Sequence, residues 1–128
     1  MAYDLIIFDC DGTLVDSEYL CNKVIAEMLA EAGMPQFDVD YALENFAGLS
    51  APVAFEMVAA ETGRKFQPDI VQVYERRVNE NMAQGLRFID GVPETLTRFH
   101  GTHDLCVGSN GERSTVLLSL RHAGLEKF

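Results

Sequence analysis

The sequence has 128 residues, 48% of them apolar and 23% charged, which suits one folded domain of ordinary size and excludes a disordered chain. Ten Lys and Arg stand against twenty Asp and Glu, a net charge of -10, so binding to nucleic acid or to a membrane surface is not expected. No apolar run approaches the roughly eighteen residues of a membrane span, and Met1-Ala2-Tyr3-Asp4 lacks the basic start of a secretory signal. Cys10, Cys21 and Cys106 are odd in number and have no C-x-x-C spacing. They read as reduced thiols of a soluble cytoplasmic protein, not as a disulfide frame or zinc site.

The first element is Leu5-Ile6-Ile7-Phe8, a continuous apolar run that predicts a strand buried on both faces, as in a parallel sheet covered by helices. It stops at the polar, glycine-bearing Asp9-Cys10-Asp11-Gly12-Thr13. A long helix follows, with Leu20, Val24 and Met28 on one stripe and Ile25, Leu29 and Ala32 beside it. Asp16 or Ser17 is expected to cap its start, and Gly33 its end. Three more helices fill the stretch from Asp38 to about Ala83. One covers Val39 to Phe46. The next is capped by Ser50, has Pro52 in its first turn and is closed by Gly63, and the third runs from Pro68 to Gly85. A short helix from Pro93 to about Phe99 precedes a second buried strand, Leu105-Cys106-Val107, which ends at Gly108-Ser109-Asn110-Gly111. A last helix carries Val116, Leu117, Leu120 and Ala123 and ends at Gly124.

The order strand, all-helical block, strand, helix predicts an α/β fold: part of a doubly wound parallel sheet with an inserted α-helical domain. The expected boundaries put residues 1–15 and 86–128 in the α/β core and 16–85 in the insert. Leu86–Ile89 is a weak third strand. Two or three short parallel strands are too few for a stable sheet, so the expectation is the N-terminal part of a longer protein.

Asp9-x-Asp11-Gly12-Thr13 directly after a buried strand carries the strongest chemical signal. Two carboxylates at the C-terminal end of a strand converge on one reacting group, at the edge where open parallel sheets bind ligands. Gly12 permits the tight turn that points backbone amides at a phosphate. A calcium loop starting at Asp9 fails, because its required glycine would fall on Leu14 and its bidentate Glu on Leu20. His100, His103 and His122 have no ligand spacing.

Phe8-Asp9-Cys10-Asp11-Gly12-Thr13-Leu14-Val15-Asp16-Ser17-Glu18 resembles motif I of the haloacid dehalogenase-like hydrolase superfamily. Leu105 through Asn110 resembles its motif II, and the helical block matches the inserted cap of the β-phosphoglucomutase and phosphoglycolate phosphatase branch. The resemblance implies a Rossmann-like core and a magnesium-dependent phosphatase acting on a small phosphate monoester, a sugar phosphate or phosphorylated organic acid, through an aspartyl-phosphate. It implies Asp9 as nucleophile and Asp11 as general acid and base. Mg2+ would be held by the Asp9 carboxylate and the Asp11 backbone carbonyl. Gly12 and Thr13 would shape the phosphate loop, Ser109 and Asn110 would hold the transferring phosphoryl group, and Gly48 and Leu49 would meet the substrate from the cap.

Arg64, Lys65, Arg76 and Arg77 form either a substrate-facing basic set or a solvated helix face. The family also places a lysine on the following core segment and an acidic motif after a later strand. Neither is present here, so the 128 residues by themselves are expected to be inactive. The expected partner is a small phosphorylated metabolite, and the expected state a monomer or homodimer. The alternatives are a phosphosugar mutase, which shares the nucleophile, a catalytically dead binding module, and a receiver-type signalling domain.

Overall fold

The computed structural model describes residues 3–109 and 113–128. Strand β1 (Leu5–Phe8) pairs in parallel with β2 (Asp104–Val107), with Leu5 opposite Asp104 and Phe8 opposite Val107. Parallel pairing brings the C-terminal ends of both strands to one edge, and the backbone bond from Gly108 N to Phe8 O (2.8 Å) extends the ladder to that edge. Six helices complete the described elements: α1 (Ser17–Glu31), α2 (Val39–Asn45), α3 (Ala51–Thr62), α4 (Ile70–Ala83), α5 (Val92–Phe99) and α6 (Arg113–His122). None is long and apolar enough to cross a membrane. The chain divides into two compact units, an α/β unit of residues 1–17 and 82–128 and a helical unit of residues 18–81.

In the helical unit, α1 buries Val24, Ile25, Met28 and Leu29 as the periodicity predicts, while Lys23 and Glu27 stay outside. The helix ends because Gly33 adopts φ +84. Its amide bonds to Ala30 O and that of Met34 to Leu29 O, the paired bonds that satisfy the last carbonyls of a helix. Asp38 starts α2, its carboxylate accepting from the Tyr41 amide at 2.9 Å. Ser50 occupies the cap position of α3, but its side chain makes no capping bond, contrary to expectation. Phe37, Tyr41 and Phe46 meet edge to face, as do Phe66, Phe55 and Tyr74.

In the α/β unit, Ile6, Phe8, Leu105 and Val107 lie on the half-buried side of the sheet. Of these, Phe8, Leu105 and Val107 border a small apolar cavity of about 140 Å³ with Leu96 of α5 and Leu117 and Leu120 of α6. The opposite side is a correction to the expected burial on both faces. Leu5 is 49% and Ile7 64% exposed, and Cys106 is exposed beside them. An all-apolar four-residue run conceals this alternation, because side-chain character does not tell which of two faces the described helices cover.

Leu86–Ile89 is not a third strand. It makes a single antiparallel bridge, Phe88 to Val15, because its backbone is engaged by the loop after β1: Asp16 N donates to Arg87 O (2.8 Å) and Ile89 N to Leu14 O (3.0 Å).

Candidate active site

Residues 9–16 turn sharply after β1 around one acceptor. The Cys10 carbonyl takes bonds from the amides of Thr13 (3.2 Å), Leu14 (2.9 Å) and Val15 (3.2 Å), and Gly12 N donates back to Val15 O (2.9 Å). The turn needs a left-handed residue, and Gly12 supplies it at φ +77. Cys10, Leu14 and Val15 are buried and anchor the loop, which leaves Asp9, Asp11, Gly12 and Thr13 exposed on its outer side. Strand, turn and anchors together hold two carboxylates at the C-terminal edge of the sheet.

Among the described residues, each carboxylate has a hydroxyl within reach. Thr13 Oγ1 lies 3.5 Å from Asp9 Oδ2, at the long limit of a hydrogen bond. Ser17 Oγ donates to Asp11 Oδ1 at 2.6 Å. In the sequence Ser17 stands out only as a candidate helix cap. No spacing rule marks this contact, which exists only once the loop has folded back on the start of α1.

The local field is negative. Burial first, and then the charges of Asp11 and Asp9, push the Cys10 thiol up to about 11. Among the described residues no Lys or Arg forms an ion pair with Asp9 or Asp11. An anion approaching this loop therefore meets negative charge unless a cation is held beside it. The available donors are oxygens, the kind magnesium prefers: the exposed Asp9 carboxylate and the Asp11 carbonyl, to which no backbone amide donates among the described residues. The described residues hold no group of three or more His, Cys, Asp or Glu side chains arranged to hold a metal ion. Two donors suit an ion that keeps several waters, and do not suit an all-protein cage.

Ser109 follows the end of β2, at the same sheet edge as Asp9, and is half-buried. Asn110, expected beside it, lies outside the described residues. Gly48 and Leu49 belong to the helical unit, on the exposed turn between α2 and α3, where Gly48 has φ +76. Of the four cations considered for an anionic substrate, two are engaged within the helical unit. Arg64 donates to the Ala32 carbonyl at the end of α1, and Arg77 grips Glu31 with bonds of 2.9 and 2.7 Å. Lys65 and Arg76 are exposed.

A family profile for haloacid dehalogenase-like hydrolases matches residues 6–128. Among characterised proteins, the 6-phosphogluconate phosphatase of Escherichia coli K12 is 30% identical over 118 residues, covering 91% of this chain and 52% of that protein. Among solved structures, a conserved haloacid dehalogenase-like protein of unknown function from Agrobacterium tumefaciens superposes with a TM-score of 0.84 at 32% identity, over 98% of this chain and 55% of that one. A hydrolase of the same family from Deinococcus radiodurans, solved with bound phosphate and sodium, gives 0.80 at 32% identity, over 98% and 54%. The chain thus spans about half the length of the relatives it matches.

Proposed function

The chain belongs to the haloacid dehalogenase-like hydrolase family, and on that premise we propose that it carries the phosphoryl-transfer loop of a phosphatase for small phosphate monoesters. One observation supports this above others: two exposed carboxylates, Asp9 and Asp11, sit on a hydrogen-bonded turn at the C-terminal edge of a parallel sheet, with Ser109 two residues past the end of the neighbouring strand. The substrate class is a phosphorylated sugar or sugar acid, the kind of compound named by the Escherichia coli relative.

The steps follow from the residues. An Asp9 carboxylate oxygen attacks phosphorus, and the bond from phosphorus to the leaving oxygen breaks. The Asp11 carboxylic acid gives its proton to that oxygen, releasing the alcohol. Asp11, now a carboxylate, takes a proton from water as the water oxygen attacks the aspartyl-phosphate. The bond between Asp9 and phosphorus breaks, restoring Asp9 and releasing inorganic phosphate. The Asp9 carboxylate and the Asp11 carbonyl would hold a magnesium ion, which would supply the positive charge that lets one anion approach another. Ser109 and Asn110 bind the transferring phosphoryl group, and Gly12 and Thr13 keep the loop in shape. The helical unit serves as the cap, and its turn with Gly48 and Leu49 selects the organic group.

The test is phosphate release from a panel of sugar and sugar-acid phosphates, with and without magnesium, by the protein as its cell produces it. Asp9→Asn is expected to abolish release, since an amide is a poor nucleophile. Asp11→Asn is expected to lower it by a factor on the order of 10²–10⁴. Turnover near wild type in Asp9→Asn refutes the assignment. Transfer of the phosphoryl group to another position of the sugar, in place of water, identifies a mutase.

A further inference from the structure

Backbone hydrogen bonds fix the loop, but they do not fix the exposed Asp11 side chain that it presents. A carboxylate on a short stem has several rotamers, and only some aim an oxygen at a reacting atom. The structure supplies one restraint. Ser17 is only 4% exposed, is the first residue of α1, and gives its single hydroxyl proton to Asp11 Oδ1 at 2.6 Å. A buried hydroxyl on a helix start is a stiff base from which to hold a mobile group. Among the described residues, Asp11 Oδ2 has no hydrogen-bond partner.

We propose that Ser17 is a positioning residue for the proton-transfer step: by holding Oδ1 of Asp11 it presents Oδ2 to the oxygen that is protonated on leaving and to the water deprotonated later. The inference rests on the assignment of Asp11 as acid and base. A helix cap needs only the lone pairs of the Ser17 oxygen, as acceptor, whereas here its proton is donated away from the helix. Capping therefore leaves this bond unexplained.

The experiment compares wild type, Ser17→Ala and Ser17→Thr in the protein as its cell produces it, with kcat/KM measured on an alkyl phosphate such as a hexose phosphate and on p-nitrophenyl phosphate. The alkyl leaving group needs a proton in the transition state, and the nitrophenolate does not. Ser17→Ala is expected to lower kcat/KM for the alkyl ester on the order of 30-fold, the scale of a misplaced catalytic group, and for the aryl ester by less than about threefold. Ser17→Thr, which restores the hydroxyl, is expected to recover most of the alkyl activity.

Crystal structures of wild type and Ser17→Ala give a second readout: the Asp11 carboxylate leaves its place when the hydroxyl is removed. Equal losses on both esters with a lowered melting temperature would make Ser17 merely structural and overturn the proposal. An unmoved Asp11 in Ser17→Ala overturns it too. If wild type releases no phosphate from either ester, the phosphatase reading falls, and the position of Asp11 in the two crystals still decides whether Ser17 holds it.

Discussion

Two glycines flank the site, and the structure predicts opposite reasons for their importance. Gly12 has φ +77, yet a Cβ built there meets nothing within 4 Å. Gly108 has no such φ, but its Cβ would stand 3.2 Å from Ile7 Cγ2. Gly12→Ala should therefore cost only backbone strain, about 1–2 kcal/mol for forcing an alanine into the left-handed region. Gly108→Ala meets the tip of a side chain that is 64% exposed and free to turn away, so its cost should stay within about 0.5 kcal/mol. Urea denaturation followed by circular dichroism reads both differences. Gly12→Asn should fall between Gly12→Ala and wild type, because asparagine enters the left-handed region more readily. A neutral Gly12→Ala beside a strongly destabilised Gly108→Ala would show that the loop conformation described here is wrong.

Two further outcomes follow from the titratable groups. Arg77, through its hydrogen bonds and charge, holds the Glu31 carboxyl below its ordinary range, so this pair adds stability above the unfolded carboxylate pKa and loses it as the pH falls through the lowered folded value. In thermal melts the gap between wild type and Arg77→Met should be small, as for any exposed pair, steady from neutral pH downward, and closed in acid. A gap that widens in acid contradicts the pairing. Of the thiols, Cys106 is exposed, whereas Cys10 is wholly buried and pushed up to about 11, so iodoacetamide near neutral pH should alkylate Cys106 and leave Cys10 until the chain unfolds. Mass spectrometry of the peptides decides this, and prompt labelling of Cys10 in the folded protein refutes the packing of the loop.

Much of this architecture was legible in the residues because local chemistry dictates it. Gly33 and Gly63 end helices where left-handed glycines are expected, and Asp9 through Thr13 read as a turn because a glycine and two carboxylates cannot continue an apolar strand. What escaped depends on contacts through space. Leu5 and Ile7 are as apolar as Ile6 and Phe8, so nothing in the run Leu5–Phe8 betrays that one face is uncovered. Leu86–Ile89 has strand-like residues, but its backbone partners are Leu14, Val15 and Asp16, an engagement invisible to periodicity. The cationic residues Arg64 and Arg77 carry no mark in sequence that their guanidinium groups are taken up by Ala32 and Glu31. The bond between Ser17 and Asp11 joins residues six apart across a turn and follows no helical or strand repeat.

Asp9 as the nucleophile is the central claim, and trapping the phosphoryl group tests it most directly. The protein as its cell produces it is mixed with a turning-over sugar phosphate and magnesium, quenched in acid within milliseconds, and digested for mass spectrometry. The account predicts one phosphoryl group on the peptide that contains Asp9, at Asp9 itself, removed by hydroxylamine as an acyl phosphate is and absent from Asp9→Asn. A phosphoryl group on another residue, or steady turnover with none trapped at any time, would contradict it.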